Sequence, residues 1–148
     1  MSTGQIRLII VDDHPLVRQT WKQLLELDKR LVIVAQCGSG REGIDAAEKY
    51  LPDIMLMDVN MHPIDGFEAT KKILQHNPTL KIIGMSVNNQ PSYARSMLQL
   101  GAKGYVTKNS SKEEMISAII VVHNGGRFIC EEVKQKMQRP DDHKFFQD

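Results

Sequence analysis

The sequence predicts a doubly wound α/β fold in which helices cover both faces of a five-stranded parallel sheet. Short apolar runs alternate along the chain with longer segments whose apolar residues lie three or four positions apart. The runs are typical of buried strands and the longer segments of amphipathic helices, so five such units in succession favour a parallel sheet with right-handed crossovers. Polar residues end several of the runs, which places potential chemistry at one edge of the sheet.

Length and composition agree with one domain of ordinary globular type. The chain has 148 residues, of which 41% are hydrophobic and 25% charged, and its formal net charge is +1. A balance so close to neutrality provides no overall field favouring nucleic acid, an anionic membrane or an acidic substrate. The apolar runs are too short for a signal sequence or a membrane span, so we expect a cytoplasmic protein without a membrane partner. The two cysteines, Cys37 and Cys130, lack metal-binding spacing and are predicted to be buried, inert thiols.

The first half of the chain contains three predicted strands, at residues 6–11, 31–35 and 54–57. Pro15 suits the first turn of a helix after the first strand, and a glycine-rich turn at residues 38–40 introduces the second helix. The third run is apolar at every position, as expected for a central strand that is covered on both faces. It ends at Asp58.

The second half continues the alternation, with strands predicted at residues 80–85 and 104–108. Helices follow Gly66, Pro91 and Ser111, and Ser111 resembles a helix N-cap because acidic residues follow it. The last helix stops at a glycine pair. We therefore predict a domain of residues 1–126 followed by a linker or C-terminal tail of residues 127–148, in which residues 128–137 could add a short helix.

The carboxyl ends of the predicted strands bring five polar side chains to one crevice: Asp12, Asp13, Asp58, Ser86 and Lys108. Neighbouring carboxylates repel one another and favour an oxygen-binding divalent cation such as Mg²⁺. A carboxylate can attack phosphorus when a cation and a lysine screen the incoming charge, and a serine hydroxyl can donate to a phosphate oxygen. Taken singly, each of these residues is more often a solvated side chain, a turn residue or the start of a helix than part of a functional site. Together, at four strand ends, they favour phosphoryl transfer.

These residues and their surroundings resemble the receiver domain of two-component response regulators. The resemblance covers residues 5–125 and depends on four motifs, which are Val11-Asp12-Asp13, Asp58-Val59-Asn60-Met61 with Asp65-Gly66, Ser86, and the segment Gly-Ala-Lys-Gly-Tyr-Val-Thr-Lys at residues 101–108. It implies a flavodoxin-like sheet in the order 2-1-3-4-5. It also implies a signalling domain that is phosphorylated by a sensor histidine kinase and catalyses only its own phosphorylation and dephosphorylation.

The resemblance also implies a role for each residue of the crevice. Asp58 would be the phospho-acceptor. Mg²⁺ or Mn²⁺ would be bound by Asp12, Asp13, Asp58 and the backbone carbonyl of Asn60. Ser86 and Lys108 would contact the phosphoryl group, and Tyr105 would be the aromatic switch residue.

Four residues near the crevice depart from the family pattern or allow more than one interpretation. His62 and Pro63 stand where the family often has proline and glycine, so the loop after Asp58 is expected to take a different path. Asn109 replaces a proline that is often preceded by a cis peptide, so a trans peptide is expected there. His14 and His62 are interpreted as solvent-facing.

The sequence around residues 104–108 and 126–133 resembles receivers that precede a LuxR-type helix-turn-helix domain. This implies an output in transcription, through a DNA-binding domain of a parent protein, and a homodimer on phosphorylation. Residues 127–148 lack that motif and mix acidic with basic residues, so we expect no DNA binding by this chain alone and a truncated or stand-alone receiver.

Two other interpretations stay open at this level. A haloacid-dehalogenase-like phosphatase also uses an aspartate nucleophile, Mg²⁺ and a lysine, although its usual Asp-x-Asp motif is missing after the first strand. A purely structural α/β interaction domain is the third possibility, but it would leave the clustered carboxylates unexplained.

Overall fold

A six-stranded parallel sheet forms the centre of the computed structural model, which describes residues 4–138. Its strands are β1 (Ile6–Val11), β2 (Leu31–Cys37), β3 (Ile54–Asp58), β4 (Lys81–Ser86), β5 (Gly104–Thr107) and β6 (Phe128–Ile129). They lie in the order β2-β1-β3-β4-β5-β6, and every neighbouring pair is parallel. The predicted fold class and the order of the first five strands are confirmed, and the sheet gains a sixth strand.

Six helices accompany the strands: α1 (Pro15–Leu25), α2 (Gly40–Tyr50), α3 (Gly66–His76), α4 (Pro91–Leu100), α5 (Lys112–His123) and α6 (Glu131–Met137). Helices α1 and α5 contact each other, whereas α2, α3 and α4 contact one another in series, so the two groups cover opposite faces of the sheet. This is the doubly wound arrangement that the alternating sequence pattern predicts.

Strand β3 lies between β1 and β4, and all of its residues are buried. Its apolar residues face helices on both sides, which explains why the run does not alternate with polar residues. Asp58 is the last residue of this strand and is itself buried. The central strand therefore delivers a carboxylate to the carboxyl edge of the sheet without exposing it to bulk water.

Three helices begin with a side-chain cap, in which a hydroxyl or carboxylate oxygen accepts a backbone N–H of the first turn. Ser39 caps α2, Asp65 caps α3 and Ser111 caps α5, with cap distances of 2.8–3.1 Å. Each cap satisfies a donor that has no partner within its helix and typically contributes about 1 kcal/mol. The predicted cap at Ser111 is confirmed.

Residues 128–137, which the sequence pattern left in the tail, form β6 and α6 and pack against the sheet. Cys130 and Val133 are fully buried, and α6 contacts α4 and β5. A strand of two residues is too short to show an alternating pattern of apolar residues, so the sequence could predict α6 but not β6. The remainder of the predicted tail, residues 139–148, lies outside the described residues.

Gly66 is required by a close approach of the chain to the end of β3. A Cβ atom at this position would lie 2.5 Å from Val59 Cα and 2.8 Å from the carbonyl carbon of Asp58, and both are backbone atoms. The Gly66 N–H also donates to the Val59 carbonyl over 3.1 Å. The loop between β3 and α3 therefore folds back against Asp58 only because residue 66 has no side chain.

We expect Gly66→Ala to lower the free energy of unfolding by about 2 kcal/mol or more, because the backbone around Asp58 would have to shift. Chemical denaturation at neutral pH measures the change. Gly38→Ala is the matched control, since its Cβ would meet only the flexible ends of two side chains, Arg18 at 3.3 Å and Glu42 at 3.9 Å. Equal stability of the two variants would contradict the steric explanation.

Candidate functional site

The ends of β1, β3 and β5 bring two buried carboxylates and one ammonium group together. Lys108 Nζ lies 2.8 Å from Asp12 Oδ2 and 3.4 Å from Asp58 Oδ2. Both carboxylate side chains are 0% exposed and Lys108 is 11% exposed. Lys108 follows β5 directly, and its N–H donates to the Ser86 carbonyl at the end of β4. The sheet thus places three of the predicted residues in direct ionic contact.

The two buried aspartates differ in how readily they ionise. Burial raises the pKa of Asp58 to about 6, against a hydrogen bond from the Asn60 N–H that lowers it, and the neighbouring Asp12 raises it further. Burial also acts to raise the pKa of Asp12, but hydrogen bonds from Lys108 and from the His14 backbone outweigh it and hold the pKa below its ordinary value. Lys108 therefore neutralises mainly Asp12, and Asp58 is the incompletely compensated carboxylate.

Asp12, Asp13, His14 and Asp58 offer ligand atoms that all lie within 4.8 Å of one another. Apart from the contacts with Lys108 and His14, no donor is hydrogen-bonded to the buried oxygens Asp12 Oδ2, Asp13 Oδ1 and Asp58 Oδ2. Oxygen atoms in such a cluster are the donors that Mg²⁺ prefers, and the 30% exposure of the Asp13 side chain leaves an approach from solvent. The residues present fit a divalent cation of this type.

We expect Asp13→Ala to weaken Mg²⁺ binding by about tenfold or more, because even residues that only orient metal ligands cost that much when removed. Isothermal titration calorimetry measures the affinity. In metal-free buffer the same change is expected to raise thermal stability slightly, since it relieves repulsion among the carboxylates. Asp45→Ala, which removes an exposed aspartate on α2, is the control. An Asp13→Ala protein that binds Mg²⁺ like this control would remove Asp13 from the metal site.

Asn60 and Ser86 form a second group beside the carboxylates. The Asn60 N–H donates to Asp58 Oδ1 over 3.1 Å, and the Asn60 side-chain oxygen accepts a short hydrogen bond from the Ser86 hydroxyl. Ser86 Oγ in turn accepts the Asn88 N–H at 2.9 Å. Ser86 is therefore linked to Asp58 through Asn60. The metal-ligand role of the Asn60 carbonyl stays a prediction.

Tyr105 lies at the far end of the same network. Its side chain is fully buried in β5, and its hydroxyl donates to the Asn88 carbonyl over 2.6 Å. Burial raises the pKa of the Tyr105 phenol, so the hydroxyl stays protonated and remains a donor. Hydrogen bonds thus run from Asp58 to Tyr105 by way of Asn60, Ser86 and Asn88.

Two residues of the site were not among the predicted ones. His14 is 61% exposed, as expected, but its Nδ1 also lies 3.0 Å from Asp12 Oδ1 and 3.1 Å from Asp13 Oδ1. Its position directly after the two aspartates was the available signal. Asn88 contributes through its backbone, for which the sequence carries no signal.

The loop after Asp58 contains a cis peptide between His62 and Pro63, the only cis peptide among residues 4–138. The predicted difference in this loop thus coincides with an unusual backbone form, and the peptide before Asn109 is trans as expected. Met61 is buried and Ile64 packs against Gly40 at the start of α2. The two cysteines are buried as predicted, and burial raises the pKa of Cys37 to about 11, so its thiol is protonated at neutral pH.

Comparison with known proteins identifies one family. Residues 8–120 match the model of the response regulator receiver domain, and the chain belongs to that family. It is 39% identical over 132 residues to the response regulator GacA of Pseudomonas viridiflava and 34% identical over 137 residues to the transcriptional regulatory protein DegU of Brevibacillus brevis. These alignments cover 89% and 93% of this chain but 62% and 58% of the relatives. The chain thus spans about three fifths of their length.

Solved structures show the same architecture. A two-component response regulator of the LuxR family from Aurantimonas sp. SI85-9A1 superposes with a TM-score of 0.88 at 28% identity, covering 97% of this chain and 99% of that one. The isolated receiver domain of RcsB from Salmonella enterica serovar Typhimurium, determined with the phosphomimetic BeF₃⁻, gives 0.80 at 27% identity over 88% and 97% of the two chains. Among residues 4–138 there is no helix both long and apolar enough to cross a membrane.

Proposed function

We propose that this chain is a phospho-acceptor switch in which Asp58 receives a phosphoryl group from a sensor histidine kinase. The observation that carries the proposal is the buried pair of carboxylates, Asp12 and Asp58, bridged by Lys108 at the carboxyl edge of the sheet. A pKa of about 6 leaves Asp58 largely ionised at neutral pH, so it is available as a nucleophile. The same edge of the sheet is where open α/β folds place their ligands.

In the proposed reaction a carboxylate oxygen of Asp58 forms a bond to phosphorus, and the bond from phosphorus to the imidazole nitrogen of the donor breaks. The electron pair of that bond leaves with the nitrogen, which takes up a proton, and the product is an acyl phosphate. Lys108 already lies 3.4 Å from Asp58 and is positioned to offset the added charge. Ser86 supplies a hydroxyl donor for a phosphoryl oxygen once it releases Asn60.

A bound Mg²⁺ or Mn²⁺ would neutralise charge on the acceptor and on the phosphoryl oxygens. Asp12, Asp13 and Asp58 are the residues that would hold it, with the Asn60 carbonyl as a further ligand. Asp12 would then have two roles, as a metal ligand and as the carboxylate that holds the Lys108 ammonium group at 2.8 Å. The chain's own residues thus set the position of both positive charges relative to Asp58.

The partners and the output are proposed from the relatives. GacA is a response regulator and DegU a transcriptional regulatory protein, and both are longer than the aligned region. We propose a cytoplasmic receiver whose output is a helix-turn-helix DNA-binding domain in a longer protein, with dimer formation on phosphorylation. We expect no binding of DNA by residues 1–148 alone, since acidic residues are interspersed with the basic ones after residue 126 and prevent a basic stripe.

Incubation with acetyl phosphate and Mg²⁺, followed by intact-mass measurement, tests the proposal. We expect one acid-labile phosphoryl adduct per chain, located at Asp58 by peptide mapping, and none when EDTA replaces Mg²⁺. Turnover of a panel of phosphate monoesters without an accumulating adduct would instead favour the phosphatase alternative. Absence of both adduct and turnover would leave only a structural interaction domain and would contradict the proposed function.

A further inference from the structure

Glu132, in the first turn of α6, joins the loop after β4 to the last residue of β5. Its Oε2 accepts the Asn89 side-chain amide at 2.6 Å, and its Oε1 accepts the Thr107 hydroxyl at 2.7 Å. Asn89 belongs to the loop between β4 and α4, and Thr107 ends β5 immediately before Lys108. Those two hydrogen bonds lower the pKa of Glu132, so the carboxylate is ionised and the bonds are charge-assisted.

Glu132 contacts the loop after β4 through Asn89, and Ser86 is hydrogen-bonded to the same loop through Asn88. A movement of Ser86 would therefore also move this loop. Asn89 follows Asn88, whose N–H donates to Ser86 Oγ and whose carbonyl accepts the Tyr105 hydroxyl. In this structure the Ser86 hydroxyl donates to Asn60 and is not free to meet a phosphoryl oxygen. Any turn of Ser86 towards Asp58 alters the hydrogen bond to Asn88 and therefore the position of its neighbour Asn89.

Helix α6 is short, and besides this carboxylate it packs on α4 and β5. It has seven residues, and Val133 is its fully buried side chain. The Glu131 N–H donates to Glu114 on α5 over 2.8 Å, and the other side chains of the helix are half-buried or exposed. An isolated helix of this length is unstable in water, so its order depends on docking.

We propose that α6 is a latch, formed by Glu132 with Asn89 and Thr107, that is closed in the unphosphorylated domain and released when Asp58 is phosphorylated. The inference rests on the proposed function of Asp58 and adds a named regulatory contact to it. While the latch is closed, the loop after β4 keeps the position in which the Ser86 hydroxyl donates to the Asn60 side chain. Phosphorylation recruits Ser86, shifts Asn89 away from Glu132 and frees α6.

Coupling of this kind is reciprocal. If a phosphoryl group weakens the latch, then breaking the latch must strengthen binding of a phosphoryl mimic by the same factor. Glu132→Ala removes both hydrogen-bond acceptors of the latch. We therefore expect this variant to bind beryllofluoride in the presence of Mg²⁺ about fivefold or more tightly than the wild-type chain, the lower end of typical coupling between sites.

The matched control is Glu131→Ala, which removes the same charge one residue earlier, from an exposed side chain. Isothermal titration calorimetry with the full chain measures beryllofluoride affinity, and circular dichroism verifies that each variant is folded. Asn89→Ala and the double variant Asn89→Ala/Glu132→Ala complete a cycle. Since both single changes break the hydrogen bond between Asn89 and Glu132, their effects on affinity are expected not to add.

Amide hydrogen exchange provides a second measurement on the wild-type chain. With Mg²⁺ and beryllofluoride we expect the amides of residues 133–137 to exchange about tenfold faster or more, as a released helix would. Two results would contradict the proposed latch and leave the phospho-acceptor function intact. In the first, the wild-type chain binds beryllofluoride but the amide exchange of α6 is unchanged. In the second, Glu132→Ala binds beryllofluoride with the same affinity as Glu131→Ala. If the wild-type chain neither binds beryllofluoride nor forms an adduct, both proposals fail.

Discussion

Replacing Asp58 by asparagine is expected to abolish the phosphoryl adduct while preserving the fold. Asparagine keeps the size of the side chain and can still accept the Asn60 N–H, but it has no charged oxygen to attack phosphorus. Intact-mass measurement after treatment with acetyl phosphate and Mg²⁺ gives the yield directly. Asp45→Asn, on the exposed face of α2, is the control and should label like the wild-type chain. An unchanged adduct in Asp58→Asn would place the acceptor elsewhere.

The same variant should be more stable than the wild-type chain at pH 7 in metal-free buffer. The pKa of Asp58 is raised from its ordinary value of 3.8 to about 6 in the folded chain, chiefly by burial. The folded chain therefore binds the proton more tightly than the unfolded chain. The resulting stability is fully present below about pH 4 and is lost as the pH rises through about 6.

Above that pH the ionised Asp58 costs on the order of 3 kcal/mol, which Asp58→Asn avoids. Denaturant unfolding of both proteins in EDTA, at intervals between about pH 4 and pH 8, measures this difference. We expect the two stabilities to diverge as the pH rises, with the variant the more stable. A difference that does not change with pH would contradict the assignment of a raised pKa to Asp58.

Removing Lys108 is expected to have the opposite effect on stability. Lys108→Met keeps most of the aliphatic side chain but leaves Asp12 and Asp58 buried without their counter-charge. Loss of one partner of a buried ion pair typically costs about 3–5 kcal/mol. Because the residual carboxylates can take up protons, we expect a loss of about 3 kcal/mol at pH 7 and a smaller loss at acidic pH. Denaturant unfolding in EDTA measures it.

Mg²⁺ provides an internal test of the Lys108 prediction. A divalent cation bound among the carboxylates replaces the missing positive charge, so added Mg²⁺ should stabilise Lys108→Met more than it stabilises the wild-type chain. The control is Lys29→Met, an exposed lysine near the start of β2, which should match the wild-type chain with and without Mg²⁺. Equal stability of Lys108→Met and Lys29→Met would show that the carboxylates do not depend on this ammonium group.

Sequence patterns alone predict the alternating strands and helices, the central position of β3 and the aspartates at the strand ends. These features are local, because a buried strand, an amphipathic helix and an N-cap such as Ser111 each need a pattern within a few residues. Parallel strands then bring their carboxyl ends to one edge whatever the details of packing. Asp12, Asp58 and Lys108 could therefore be placed together before their contacts were known, and the family resemblance supplied their expected roles.

Which of these groups contact one another, and how strongly they interact, depends on the folded arrangement of the whole chain. The uneven ionisation of Asp12 and Asp58 depends on where Lys108 comes to rest, at 2.8 and 3.4 Å from their oxygens. The contacts of Glu132 with Asn89 and Thr107 join residues 43 and 25 positions apart, through helix α6, which is docked by a two-residue strand. A contact between distant residues leaves no periodic trace in the sequence, because it depends on the folded path of all the elements between them.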